Sequence, residues 1–419
     1  MVSCRVMADE RLSLQASPGR SEAIVAGHIC LDIIPALPAT GSLADLVPGV
    51  LVEVGPVTLG TGGCVSNVGQ SLHRLGISTR LVGKVGDDVF GRAVCELLGR
   101  ASDNLAGGIL VAPGELTSYS VILSPPGSDR TFLHYPGAND TFRNEDVPDD
   151  VFDSGRLFHF GYPPVMRRMY QDGGASLARL LQRAKHAGLT TALDMAYPDP
   201  ASDAGKADWR AFLGVVLPFV DVFLPSFEEL CIMLYPGAGA EPPVAKTDTD
   251  MAGRLANLSG QLLGLGAAIV GIKAGDKGLY LRTGSTERLA RAGSAVPRPC
   301  ERWAERELWS AIFETTVATT VGAGDATVAG FLFGLLRDMC PEDAVTVACA
   351  AGASSVEAAD AISGVCTWEA TSRRLEAGWA RRALCPGSGW REATQQGVWH
   401  GPGDKTRPNG ANEKEGDAR

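Results

Sequence analysis

The chain has 419 residues, with 38 Lys and Arg against 48 Asp and Glu, a formal net charge of −10 at pH 7. At 45% apolar and 21% charged it has an ordinary globular composition, which excludes a collagen-like or natively unfolded chain for its bulk. The acidic balance supplies no electrostatic footprint for nucleic acid, and no run of about 18 apolar residues is present to span a membrane.

Residues 1–21 carry Arg5, Asp9, Glu10, Arg11 and Arg20 around no central apolar run. They read as a flexible extension without a secretory signal, so the expected location is the cytoplasm. The ten cysteines form no CxxC pair, which argues against a zinc cluster or a disulfide scaffold and for small buried side chains in a reducing compartment. A β-type run over 23–34 opens the core, and the segment of about 34–59 is read as part of a small flap. Over 65–75 the apolar residues Val65, Val68, Leu72 and Leu75 fall on one helical stripe, and Gly76 stands at the C-terminal cap.

A strand is predicted over 80–86 and a helix over 90–100. Strands 118–123 and 131–135 flank Pro125-Pro126-Gly127-Ser128-Asp129, a hairpin signal that gives the flap its other half, about 117–136. Strands 157–161, 190–195, 220–224, 268–272 and 278–281 then alternate with helices 173–187, 227–234 and 251–265, and helices 323–339 and 341–358 close the core. This alternation predicts an α/β domain over 22–384 whose mostly parallel sheet is covered on both faces. Between Gly278 and Thr315 the connection is long, and 297–309 reads as an insertion. Arg373, Arg374, Arg381 and Arg382 read as the solvated face of a last helix. Residues 385–419 are rich in Gly, Pro and charge and poor in aliphatic side chains, so a disordered tail is expected.

The sharpest motif is Thr319-Thr320-Val321-Gly322-Ala323-Gly324-Asp325-Ala326, where two glycines open a helix of small residues and a carboxylate stands in its first turn. Unpartnered N–H groups and the positive dipole end make Gly322, Ala323 and Gly324 a cradle for an anion such as phosphate. Asp325 beside it is placed to take a proton from an attacking hydroxyl. The same spacing suits an ordinary N-terminal cap, and spacing alone leaves both open.

This run resembles the carboxyl-terminal signature of the ribokinase-like carbohydrate kinases, the PfkB family. The family's other signature is a Gly-Gly pair with an Asn four residues after the second Gly, and it resembles Gly62-Gly63-Cys64-Val65-Ser66-Asn67 leading to Leu75-Gly76. Gly27-His28-Ile29-Cys30-Leu31-Asp32 is similar to the family's first strand, Pro136-Gly137-Ala138-Asn139 to the segment after its flap, and Leu193-Asp194 to a central strand end. Lys273-Ala274-Gly275-Asp276-Lys277-Gly278 resembles the glycine turn along the nucleotide. The resemblance covers most of 23–367.

It implies a three-layer α/β/α ribokinase-like fold with a small β lid, and ATP-dependent phosphorylation of a hydroxyl on a small sugar or sugar-like molecule. On this resemblance Asp325 is the general base and Gly322, Ala323 and Gly324 form the anion hole. Asp32, Gly62, Gly63 and Asn67 hold the acceptor. Lys273, Gly275, Gly278 and Glu229 serve the nucleotide, with Glu229 acting on Mg²⁺ through water. Two residues depart from the pattern: Ser226 replaces an Asn three residues before Glu229, and Thr319 replaces an Asp that shapes a monovalent-cation loop, which leaves potassium dependence open. The lid edge is expected to offer a homodimer contact.

A nucleoside kinase, with Phe160, Tyr162 and Tyr119 as candidates for a base-stacking wall, and a non-catalytic sugar or nucleotide sensor are the competing readings. No Gly-x-Gly-x-x-Gly turn follows the first strand and no P-loop motif occurs, which argues against a dinucleotide enzyme or a P-loop enzyme. The six histidines show no ligand spacing, and Cys64 reads as a small residue fitting a tight turn.

Overall fold

The structure, a computed structural model, describes residues 21–38, 48–125, 130–235 and 247–406. Its strands are β1 (Ala23–Gly27), β2 (Cys30–Pro35), β3 (Val57–Gly62), β4 (Thr79–Gly86), β5 (Ile109–Ala112), β6 (Tyr119–Leu123), β7 (Thr131–Tyr135), β8 (Leu157–Gly161), β9 (Thr190–Asp194), β10 (Val222–Phe223), β11 (Ile269–Lys273), β12 (Leu279–Thr283), β13 (Glu307–Ser310), β14 (Arg391–Glu392) and β15 (Val398–His400). Its helices are α1 (Gly63–Arg74), α2 (Val89–Ala101), α3 (Asp103–Ala106), α4 (Arg167–Tyr170), α5 (Ala175–His186), α6 (Trp209–Val216), α7 (Phe227–Leu234), α8 (Asp248–Gly264), α9 (Thr286–Ala290), α10 (Ala323–Leu336), α11 (Pro341–Ser355) and α12 (Trp368–Glu376).

A large sheet runs β14-β15-β13-β12-β11-β10-β9-β8-β1-β4-β5. From β5 to β11 every neighbouring pair is parallel, whereas β12, β13, β15 and β14 add antiparallel. Burial on both faces explains the near-continuous apolar runs of β1, β8 and β9, all of whose residues are buried. Side chains alternate between the faces: Ala23 and Val25 join the core under α1, α10 and α11, while Ile24 and Ala26 join the core under α5, α6 and α8. The architecture is therefore three-layer α/β/α with a mostly parallel sheet. A second sheet, β3-β2-β6-β7, stands apart from it, built from segments read above as a flap.

Several boundaries differ from the sequence expectation. The single run 23–34 is two strands in two sheets, because the chain turns at Gly27, whose φ of 127° and close approach to Gly161 (2.3 Å from its added Cβ to the carbonyl oxygen) admit only glycine. Strands β3 and β5 escape sequence reading because they are short, with largely exposed residues, so their alternation is weak. The stretch 297–309, read as an insertion, delivers β13 to the main sheet.

The expected disorder from 385 onward is corrected as far as 406. β15 pairs with β13, Trp390 packs against Tyr280 and Trp309 with centroids 6.1 and 5.9 Å away, and buried Asp404 accepts from Arg306 at 3.0 Å. A few aromatic rings and one buried ion pair order a segment whose average composition is polar. Residues 1–20 and 407–419, where the flexible extension and the end of the tail are expected, lie outside the described residues, as do 39–47 and 126–129 of the flap. Arg381 is also corrected: it is half-buried, lies over the Phe313 ring at 4.1 Å and donates to Ser310, Ala311 and Thr346. Among the described residues, no helix is long and apolar enough to cross a membrane.

Candidate active site

The site forms where β2, β8, β9 and β11 meet the N-termini of α1 and α10. α10 is apolar on nearly every side and buried along most of its length, so its first turn opens inside the protein. Gly322 precedes it in the left-handed region (φ 73°), and a Cβ there would lie 2.6 Å from Ala361, so glycine is required by both backbone and packing. Gly324, one turn step on, is different: its added Cβ would meet only the Lys273 side chain, at 3.7–3.9 Å.

Packing of α1 on α10 brings Asn67 to Asp325. The Asn67 amide donates to Asp325 Oδ2 at 2.9 Å, and the Tyr162 hydroxyl donates to Oδ1 and Oδ2 at 2.7 and 2.8 Å. Asp325 is 4% exposed. Burial pushes its carboxyl up, while the two donors and the Lys273 charge oppose that shift.

Lys273, at the end of β11, donates to Asp194 Oδ1 at 2.6 Å from the end of β9. Burial alone would push this ammonium down, but Asp194, Glu229 and Asp325 outweigh it and hold Lys273 above its ordinary value. Burial pushes Asp194 up, against the pull of Lys273, and Asp194 Oδ2 is buried without a hydrogen-bond partner. The ammonium therefore stands between a buried carboxylate and the glycine turn of α10, a place suited to transferred negative charge.

Asp32 on β2 is nearly buried, and burial raises its carboxyl to about 6, with Cys30 donating to it at 3.4 Å and Asp325 adding to the rise. Gly62 makes room for it, since a Cβ there would lie 2.3 Å from Asp32 Oδ2. Gly63 (φ 83°) makes room for His28, whose Nδ1 would lie 2.4 Å from an added Cβ. Gly275 (φ 55°) faces open space, whereas Gly278 is held to glycine by Ser310 O, 2.0 Å from its added Cβ. Thus close approach of the protein to itself accounts for Gly62, Gly63 and Gly278, and open space remains at Gly275 and Gly324.

Ser226 and Glu229 cap α7 reciprocally: Ser226 Oγ accepts from the Glu229 amide at 3.1 Å, and Glu229 Oε2 accepts from the Ser226 amide at 2.7 Å. Among the described residues no group of three His, Cys, Asp or Glu side chains is arranged to hold a metal. Glu229 is the carboxylate that could serve a phosphate-borne Mg²⁺ as an outer partner. Arg130, just before β7, donates to Thr320 at 2.6 Å and so ties the small sheet to the loop that precedes Gly322.

The structure thus gathers Asp325, Asn67, Asp32, Lys273 and Gly322 to Gly324 in one place, sets Glu229 within electrostatic reach of Lys273, and leaves Gly275 and Gly278 on the β11–β12 turn. Sequence reasoning missed the contact of Tyr162 with Asp325 and the pairing of Asp194 with Lys273. The Pro163-Pro164 pair after Tyr162 marks an unusual turn but does not say where its hydroxyl points. Of the three aromatics considered for a base wall, Phe160 is in the core and Tyr119 packs between Phe90 and Tyr135.

Residues 21–368 match the family model described as pfkB family carbohydrate kinase. A 2-dehydro-3-deoxygluconokinase of Bacillus subtilis is 26% identical over 344 residues, covering 78% of this chain and 90% of the relative. An Arabidopsis thaliana ribokinase complexed with ribose and ATP superposes with a TM-score of 0.61 at 17% identity, covering 85% of this chain and 99% of that one. A Xylella fastidiosa fructokinase with bound ATP gives 0.61 at 20%, covering 85% and 98%. At these identities the two structures speak for the fold.

Proposed function

The chain belongs to the pfkB family of carbohydrate kinases and is a sugar kinase, and on that premise we propose that it transfers the terminal phosphoryl group of ATP to a hydroxyl of a small sugar or sugar acid with Asp325 as general base. The observation that carries this reading is the buried carboxylate in the first turn of α10, beside a glycine turn and the Lys273 ammonium.

Asp32 and Asn67 would hold acceptor hydroxyls, Asp32 by accepting from them and Asn67 through its Oδ1, which is buried without a partner. Asp325 takes the proton as the hydroxyl oxygen attacks the terminal phosphorus. The backbone N–H groups of Gly322 and Gly324, with Lys273, would face the charge on the transferring group, joined by the Ala323 N–H, which donates to Thr320 O at 3.4 Å before phosphate arrives. Gly275, Gly278 and the β11–β12 turn would lie along the nucleotide. Mg²⁺, when bound, would neutralise phosphate charge, with Glu229 reaching it through water. The small sheet would act as a lid that excludes water, with Arg130 on Thr320 as its contact to the phosphate loop.

A second copy would dock on the lid, where Val57, Leu59, Phe132, Leu133 and Tyr135 are exposed on its edge strands. Light scattering decides this: a monomer at micromolar concentration removes it.

The test of the main reading is ADP release from ATP and Mg²⁺ across a panel of sugars, sugar acids and nucleosides. The wild type is expected to phosphorylate a sugar or sugar acid, and Asp325→Asn to lower turnover by at least about a hundredfold with binding little changed. Near-normal turnover in that variant would exclude Asp325 as the base.

A further inference from the structure

Tyr162 is the one residue of the site held in a conformation that its own chemistry disfavours. Its backbone is left-handed (φ 66°, ψ 42°), a region open to glycine and Asn but costly for a bulky aromatic side chain. It also precedes Pro163, which further narrows its options. The surroundings leave no slack: the preceding Gly161 lies so near Cys64 that an added Cβ would stand 1.9 Å from the sulfur, and the Tyr162 amide donates to Asp194 O at 3.3 Å. The consequence is that the ring leaves the end of β8 towards α10, and its hydroxyl lies nearly equidistant from both oxygens of Asp325.

Resting on the functional reading above, we infer that Tyr162 is the positioning residue of the general base: its hydroxyl fixes the Asp325 carboxylate plane and keeps that buried group ionised for proton abstraction. Asn67 steadies Oδ2 alone, and among the described residues Tyr162 is the one side chain that donates to Oδ1, so without it the carboxylate can turn about its Cβ–Cγ bond. A tyrosine suits this task because the phenol donates one hydrogen bond and carries no charge to compete with Lys273. The other groups facing Asp325 are Lys273 from β11, Asp194 from β9, Asp32 from β2 and Cys64 from α1. Of these, Lys273 favours the ionised base, while the carboxylates and the thiol do not. Removing the phenol therefore tips the balance toward the protonated form.

Two variants move the base in opposite directions. Tyr162→Phe keeps the ring and loses the donor; with ATP, Mg²⁺ and the best acceptor among D-fructose, D-ribose and 2-dehydro-3-deoxygluconate, kcat is expected to fall about tenfold or more with KM nearly unchanged. The acidic limb of its pH–rate profile moves to higher pH. Incorporation of 3-fluorotyrosine at 162, a stronger donor of the same shape, moves that limb to lower pH. Infrared titration of the carboxyl band that Asp325→Asn abolishes reports the same two shifts without any acceptor, and melting curves show that the variants are folded. A wild type that phosphorylates no sugar or sugar acid of the full panel overturns the functional reading. An active wild type matched by Tyr162→Phe in kcat, limb and carboxyl band overturns the role of Tyr162 alone.

Discussion

Replacing Lys273 by Met removes the ammonium from Asp194 while keeping most of the aliphatic stem. The Asp194 side chain is 1% exposed and its Oδ1 lies 2.6 Å from Nζ, so the variant leaves a carboxylate that water does not reach. Left ionised and unpaired, such a group costs about 3–5 kcal/mol. Burial already pushes Asp194 up and Lys273 pulls it down, so loss of Lys273 moves it further up and the folded variant takes a proton instead. A carboxyl whose folded value lies above its unfolded value binds more protons in the native state, so stability falls as pH rises between the two. Wild-type Asp194 is itself raised, to about 8, so wild type and variant respond alike below that pH, and the Lys273→Met deficit is small near pH 7 and grows toward pH 10 as the wild type ionises Asp194 against Lys273. With a melting entropy of about 2.1 cal/mol/K per residue, the full cost in a chain of 419 residues lowers the melting temperature by about 3–6 °C. Calorimetry of the wild type, Lys273→Met and the double variant Lys273→Met with Asp194→Asn, at intervals from pH 6 to 10, reads this directly. A deficit that is flat in pH, that grows toward acid, or that persists with the same slope in the double variant would refute the reasoning.

Gly324→Val is expected to abolish phosphoryl transfer while changing stability by about 1 kcal/mol or less, because a Cβ there has the Lys273 side chain as its nearest neighbour at 3.7–3.9 Å and the branched chain would fill the space offered to phosphate. Gly322→Ala, forced against Ala361 from a left-handed backbone, is expected to lose about 1–3 kcal/mol, so activity assays paired with urea melts separate the two glycines. Asp404→Ala removes one of the two carboxylates on Arg306, which is 3% exposed and keeps Glu342 and the Arg302 carbonyl, and should cost about 1–3 kcal/mol. Burial works against ionised Asp404, but His400, Arg306, Thr406 and the Glu307 amide hold its carboxyl well below the usual carboxylate range. Its contribution is thus fully present above pH 4 and shrinks only in stronger acid; a chemical melt unchanged by Asp404→Ala would mean that the segment around it is not anchored.

The parallel half of the main sheet is legible in the sequence because each of its longer strands is buried on both faces and flanked by an amphipathic helix. The antiparallel end is not. β13 and β15 come from segments whose composition reads as insertion and tail, and their pairing depends on partners 90 residues or so apart: Leu308 with His400, Arg306 with Asp404. Local pattern carries no record of such a contact.

The same division runs through the site. Chemistry that lies within one turn or one helix start, Gly322 to Asp325 and Gly62 to Asn67, is visible as spacing, since the backbone itself sets where those groups point. The sequence by itself therefore determines the layered α/β core, the catalytic candidate and the glycines around it. Only the tertiary structure decides what those groups meet: that Lys273 pairs with Asp194 beside Gly324, that Gly63 makes room for His28, and that Tyr162, 163 residues from Asp325, reaches its carboxylate. The physical reason is that side-chain direction across strand ends is set by how the sheet twists and how α1 and α10 pack, and those are sums over the whole core.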